Sequence, residues 1–240
     1  KYRLELDTES DTPTLLAKWM PSENASSAKT KEVARALIKE FGWTAKQYRK
    51  TLSALRKKIN ILETIMSEGR WDEIKFDKIP SVAGMKYRDA FIRHDVKKEY
   101  EKFMKVENTK VNADVLNPVD IARKILRYGV KFDELEIATL QKYWDNLKDY
   151  YNGREENGLC MVDVSGSMCG TPMAAAVSMG AYIAERGHGP FANHFITFSG
   201  RPQLVEFKGN NIIEKMQFCE KAEWGMNTNL EAAMDLILDT

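Results

Sequence analysis

The stretch that decides the fold is "GLCMVDVSGSMCGTPM", residues 158–173. Gly158 to Val162 is a short apolar run of the kind that forms a buried strand. The residues after it are polar and punctuated by glycine, and oxygen-bearing side chains recur at every second position: Asp163, Ser165 and Ser167. "TPMAAAVSMGAYIAERG" (171–187) then reads as a helix, with Pro172 suited to its first turn and Gly187 to its end. A strand, a polar loop and a helix in that order open an α/β domain. The loop falls at the carboxyl end of the strand, where such sheets place ligands.

Downstream, "HFITFSGRPQLVEFKG" (194–209) reads as two strands around the turn SGRP. "NIIEKMQFCEKA" (211–222) predicts a short helix, and "NTNLEAAMDLILDT" (227–240) another that begins at Thr228. Upstream the pattern is different. Residues 1–27 are polar and broken by Pro21, so an irregular lead-in is expected. Val33, Leu37, Ile38 and Phe41 share one helical face, and Gly42 stops that helix. Tyr48, Leu52, Leu55, Ile59, Leu62 and Met66 step by three or four, which predicts a long helix capped by Thr44 and ended by Gly69. "WDEIKFDKIPS" (71–81) reads as an extended connector, and one or two helices follow it over 81–106. Further helices are expected from Asn117 and Pro118, and from Asp133 to Gly153. The expected organisation is therefore a lead-in (1–27), a helical domain (28–153) and an α/β domain (157–240), an α plus α/β protein.

Composition narrows the class. The 240 residues are 43% hydrophobic and 30% charged, which suits a globular protein. No apolar run approaches the ~18–20 residues of a membrane span, so no membrane partner is expected. The start, "KYRLELDTES", has neither an initiator Met nor a signal-peptide core, and suggests a piece of a longer protein. Three cysteines without CxxC spacing, Cys160, Cys169 and Cys219, argue against a disulfide framework and point to a reducing, cytoplasmic compartment. Residues 1–150 carry 30 Lys and Arg against 24 Asp and Glu, while residues 151–240 carry 6 against 11. A basic amino-terminal part thus precedes an acidic carboxyl-terminal one.

The loop at 163–173 excludes several chemistries. A nucleophile elbow needs Gly-x-Ser-x-Gly, but Asp163 and Ser165 stand two residues before the two serines. No histidine is paired with either by sequence. A phosphate-binding loop needs Lys followed by Ser or Thr, and this loop contains no Lys. What fits is a cradle for a hard cation, which takes oxygen ligands and keeps several waters. Neutral hydroxyls leave much of the cation's charge uncompensated, so an open position would attract a partner's carboxylate. That chemistry is adhesion, without turnover.

Asp163-x-Ser165-x-Ser167 resembles the Asp-x-Ser-x-Ser signature of the metal-ion-dependent adhesion site in von Willebrand factor A domains. Those domains add a Thr some 60–70 residues later, and Thr228 stands 61 residues after Ser167. "HFITFSGRPQLVEF" is similar to their paired second and third strands. The resemblance implies a Rossmann-like domain binding Mg²⁺, or another divalent cation such as Mn²⁺ or Ca²⁺, through Asp163, Ser165, Ser167 and Thr228. It also implies a further Asp after a fourth strand. The sequence reaches Thr240 without it, so a partial A domain is expected. The amino-terminal segments, "KWMPSENASS" among them, resemble a family catalogued only as a domain of unknown function, whose members join a helical region to an A-like one. The layout is also similar to the Ro ribonucleoprotein (TROVE) architecture, in which helical repeats carry an A domain and bind RNA.

Plainer roles compete with these. Asp163, Ser165 and Ser167 are also turn formers, and Thr228-Asn-Leu-Glu231 is also a capping box. Lys46, Arg49, Lys50, Arg56, Lys57 and Lys58 would contact RNA phosphates or simply form a solvated helix face. Tyr48 and Tyr87 fit apolar faces better than base stacking, and burial is expected for all five tryptophans. Three functions are therefore expected in order: a non-enzymatic, metal-dependent protein-binding domain, an RNA-binding protein, and an assembly protein with a vestigial metal loop.

Overall fold

The computed structural model describes residues 1–106, 109–154, 157–221 and 229–239, with the side chains of 95–97 not described. It divides into two compact units, Lys1–Ile74 and Lys75–Thr240.

The first unit is built on one helix. Residues 1–27, expected to be irregular, instead carry helices α1 (Tyr2–Glu9) and α2 (Leu16–Trp19). Helix α3 (Ala28–Phe41) ends as its sequence predicts, at Gly42 in the left-handed region (φ 66°). Helix α4 (Ala45–Ile59) starts at a full capping box between Thr44 and Gln47. It stops short of Gly69, because Asn60 turns left-handed (φ 53°), and α5 (Leu62–Ser67) follows as a separate helix. All of α1, α2 and α3 pack on α4. Leu4, Ala17, Ala34, Tyr48, Leu52 and Leu55 form the buried core, with Ile38 and Phe41 against it. The buried stripe of α3 runs through Ala34, so Val33 is left exposed. Tyr48 donates its hydroxyl to the Pro21 carbonyl at 2.8 Å from inside the core, which excludes base stacking. Trp19 is 75% exposed, against the expectation of burial.

Where an extended connector was expected there are two 3₁₀ turns: Trp71–Glu73 ends the first unit and Phe76–Lys78 opens the second. Helix α6 (Ser81–Phe91) passes through a π-helical turn (Ile92–Val96) into α7 (Lys97–Lys105). Helix α8 (Pro118–Ile125) begins at Asn117 with Pro118 in its first turn, as expected. Helix α9 (Glu134–Asp145) is capped by Asp133 but ends eight residues before Gly153. Strand β1 (Cys160–Val162), helix α10 (Thr171–Arg186), strands β2 (His194–Thr197) and β3 (Leu204–Glu206), and helices α11 (Ile212–Glu220) and α12 (Leu230–Leu238) complete it. The sheet order is β1-β2-β3. Strands β1 and β2 are parallel, with Val162 beside Thr197, and β3 runs antiparallel to β2. The molecule is thus helix-rich with one small mixed sheet. Among the described residues no helix is long and apolar enough to cross a membrane.

Helix α10 organises this unit. It packs on β1 and β2 with one side, and contacts α8 and α11 as well. Its small residues make this possible. A Cβ added at Gly180 would lie 2.5 Å from Val162 Cγ2, so only glycine permits this approach. At its far end Arg186 donates to the Trp144 carbonyl at 2.7 Å and stacks over Tyr182, with its guanidinium carbon 4.2 Å from the ring centroid. Tyr182 in turn donates to the Lys148 carbonyl at 2.8 Å and accepts from the Tyr150 amide at 2.9 Å. The segment after α9 is thereby fixed to the helix that follows the candidate loop.

Two outcomes follow from this packing. Gly180→Ala gains helix propensity but forces a methyl into the stiff, buried Val162. A net loss of about 1–2 kcal/mol is expected by urea unfolding. The second concerns Asp7, which is buried, accepts from the Thr14 amide at 3.1 Å and from its hydroxyl, and lies 3.3 Å from Arg3. Burial pushes its carboxyl up, but the Thr14 hydrogen bonds and the Arg3 charge outweigh burial and hold it below its ordinary value of 3.8. The ionised form is therefore stabilised by folding. That stability is present above the unfolded value and is lost as pH falls through the lower folded one. Asp7→Asn is expected to lower Tm at pH 7 and to flatten the acid limb of a Tm–pH curve; an unchanged limb contradicts this.

Candidate functional site

The loop 163–170 spans from the end of β1, where Val162 is buried, to the start of α10, where Thr171 is exposed. Val162 and Val164 are 1% and 5% exposed, with Asp163 half-buried between them. The alternation of a strand persists just past β1, so Val164 points inward while the side chains on either side of it are left to the loop. Asp163 Oδ1 accepts from the Ser165 amide at 2.8 Å, a turn made by its own side chain. Asp163 Oδ2 has no protein partner among the described residues. The hydroxyls of the half-buried Ser165 and the exposed Ser167 lie 3.0 Å apart. A single 3₁₀ turn, Gly166–Met168, brings them together, with the Met168 amide on the Ser165 carbonyl at 2.9 Å. Gly170 then takes φ 88°, open to glycine but strained for other residues, and lets the chain enter α10.

The sheet brings a third segment to this edge. The Phe198 amide donates to the Val162 carbonyl at 3.0 Å, so the chain leaving β2 runs beside the start of the loop. The Ser199 carbonyl accepts from the Asn229 amide at 3.2 Å, which places the start of α12 at the same edge. Thr228 itself lies outside the described residues, as does Trp224. The cap of α12 is Asn229, whose side chain accepts from the Ala232 amide at 3.0 Å. The capping role expected for Thr228 thus belongs to its neighbour, one residue later than the sequence pattern suggests.

Chemically, the set is one carboxylate and two hydroxyls. Ligands at right angles around an octahedral Mg²⁺ stand about 3.0 Å apart when each bond is near 2.1 Å. The serine pair already has such a spacing, which also suits the hydrogen bond it makes now. Among the described residues no three His, Cys, Asp or Glu side chains gather as metal ligands. A cation here would therefore depend on hydroxyl oxygen, a set suited to hard ions and poor for soft ones. The cysteines take no part in such a set. Cys219 is buried, with its thiol pushed up to about 12, and Cys160 is also raised by burial, while Cys169 is exposed on the loop. His194 is held locally, with Nδ1 2.7 Å from the Ala192 carbonyl.

The basic residues of α4 separate into two groups. Arg56 is half-buried and donates to the Ala17 carbonyl (2.9 Å), the Met20 carbonyl (2.7 Å) and Ser22 Oγ (2.9 Å), so it fastens the turn after α2. Arg49 pairs with Glu23, and Lys58 donates to the Thr8 carbonyl at 3.1 Å. Lys46, Lys50 and Lys57 are exposed and have no ion-pair partner among the described residues. Their spacing of four and seven residues puts these three on one stripe. Sequence reasoning named all six alike, since nothing in the local pattern marks Arg56 as a clamp for residues 34 to 39 positions away.

Two families match the chain in succession, meeting near residues 151–157, whereas the compact units divide between Ile74 and Lys75. A family described as "Domain of unknown function (DUF2828)" matches residues 4–151, and one described as "Domain of unknown function (DUF7788)" matches residues 157–240. The chain is 34% identical over 243 aligned residues to "Uncharacterized protein L728" of Acanthamoeba polyphaga mimivirus. That alignment covers 94% of this chain and 42% of the viral protein, so the chain spans less than half the length of this relative. No solved structure matches.

Proposed function

The chain belongs to the DUF2828 family, and we propose that its residues 157–240 are a von Willebrand A-like domain that engages an acidic group of a partner protein through a divalent cation. Asp163, Ser165, Ser167 and Thr228 would hold the ion, and no reaction is catalysed. The observation that carries this reading is the loop at the end of β1, where a fixed carboxylate precedes two hydroxyls 3.0 Å apart. The sheet order supports it as well. A parallel β1–β2 pair joined through a helix, with an antiparallel β3 at the edge, is similar to the first strands of an A domain. The cap at Asn229 supports Thr228 as a ligand, because the helix does not require the threonine hydroxyl.

When bound, Mg²⁺, Mn²⁺ or Ca²⁺ supplies a positive centre with an open position for a carboxylate. The protein's own residues set how strongly that position attracts acid. Asp163 contributes a single negative charge, and the serine hydroxyls contribute none, so the net positive charge is left for the partner to neutralise. The Ser165 amide holds the carboxylate in place before any ion arrives, which lowers the ordering cost of binding.

Thermal unfolding of the protein with and without millimolar MgCl₂ tests this. Ligand binding to the folded state alone raises Tm, by about 2.7 kcal/mol of stability at a hundredfold excess over Kd. The expected result is a rise that Asp163→Ala abolishes and Ser165→Ala weakens. A Tm indifferent to Mg²⁺, Mn²⁺ and Ca²⁺ overturns the proposal.

A second reading rests on the exposed stripe Lys46, Lys50 and Lys57, which suits phosphate contacts to RNA. RNA affinity should then fall with salt, and replacing the three lysines by Gln should flatten the log–log slope by about 2 units. A salt-independent affinity, or one unchanged in the triple variant, rejects it. Failure of both readings leaves an assembly role with a vestigial loop.

A further inference from the structure

Beside the amino end of α10 lies a cavity of about 710 Å³, formed where α8, α10 and α11 converge. Its size suits a small organic ligand and far exceeds a single ion. Buried Ile125 and Ala174, 1% and 3% exposed, contribute apolar surface to it. Leu126, Val130 and Met173 add to that surface, and three cations stand around it. Arg123 and Arg127 enter from α8 and the turn after it, and Lys221 from the end of α11, with Glu220 as a carboxylate among them. Arg123 donates to Thr171 Oγ1 at 3.3 Å, across from α8 to the first turn of α10. Arg127 and Lys221 have no carboxylate partner among the described residues. Three like charges around one concavity repel each other, and an anion placed between them relieves that repulsion. The first turn of α10 has no side-chain cap and adds its partial positive charge to the same wall. Tyr128, at 106% relative exposure, stands at this cavity with its ring free.

We propose that this cavity binds the phosphate group of a small phosphorylated molecule, with Arg123, Arg127 and Lys221 pairing its oxygens and Tyr128 packing on the organic remainder. Arginine suits the task because its planar fork matches phosphate oxygens two at a time. The apolar surface and the free tyrosine ring favour an organic phosphate over the bare ion. Cys169 and Gly170, at the end of the same loop, line the cavity, but Asp163, Ser165 and Ser167 do not, so the phosphate-binding groups are distinct from the residues that would hold the cation.

Calorimetric titration of the protein with inorganic phosphate and with phenyl phosphate tests the proposal. Both are expected to bind, phenyl phosphate more tightly. The double variant R127Q/K221Q is expected to weaken both by about tenfold or more. Tyr128→Ala is expected to bring phenyl phosphate down to the affinity of inorganic phosphate. Asp163→Ala is expected to change neither. These side chains are exposed, so circular dichroism should show the variants folded. Absence of heat and of any Tm shift at about 10 mM phenyl phosphate, wild-type affinity in the double variant, or loss of binding in Asp163→Ala would each overturn it.

Discussion

The close approach of α10 to β1 at Gly180 is the constraint on which the site depends. Val162, against which Gly180 packs, is the last residue of β1, and Asp163 follows it directly. The same helix begins at Thr171, where the loop ends. Both ends of an eight-residue loop are thus attached to elements pressed together at van der Waals distance. Little freedom remains to the chain between them, and the Asp163 turn, the 3₁₀ turn at Gly166–Met168 and the positive φ of Gly170 use it up. Within that confinement the two serine hydroxyls lie 3.0 Å apart and share a hydrogen bond.

Helix α10 is also where the site meets the rest of its unit. Its amino end meets α8 through Arg123 and Thr171, and its carboxyl end holds the Trp144 carbonyl through Arg186 and the backbone of Lys148 and Tyr150 through Tyr182. Small residues along it, Ala174, Ala181 and Ala184 as well as Gly180, let neighbours approach from several directions, and all four are buried. The price of that design is sensitivity, since a close-packed interior yields little to an added methyl. The first unit solves a similar problem with polar groups. There Arg56 satisfies the Ala17 carbonyl within α2 and a carbonyl and a hydroxyl just after it, and the Tyr48 hydroxyl reaches the Pro21 carbonyl nearby.

Much of the fold was legible because local signals agree with the final structure. Thr44, Asn117 and Asp133 cap the helices that their sequences announce, and Gly42 and Gly187 end two others. Errors arose where short-range chemistry competed with a longer pattern. The apolar period from Tyr48 to Met66 continues through Asn60, but asparagine tolerates the left-handed conformation well enough to break the helix there. At α12 two adjacent residues, Thr228 and Asn229, are both good caps, and periodicity does not choose between them. Trp19 looked like core by its size alone, yet the buried residue of α2 is Ala17, which lies against α4 where a larger side chain would not fit as closely.

The sequence by itself determined several helix caps, the strand–loop–helix order of residues 158–187 and the run of oxygens at 163–167, because caps, periodicity and turn residues act within a few positions. Tertiary structure decided what those side chains do. It spaced the serine hydroxyls, assigned the helix cap to Asn229, turned Arg56 into a clamp while leaving Lys46, Lys50 and Lys57 to solvent, and gathered Arg123, Arg127 and Lys221 around one cavity. Arg123 and Lys221 stand about a hundred residues apart in the chain. Only the packing of α8, α10 and α11 brings them together, and packing depends on distant surfaces that no local window contains.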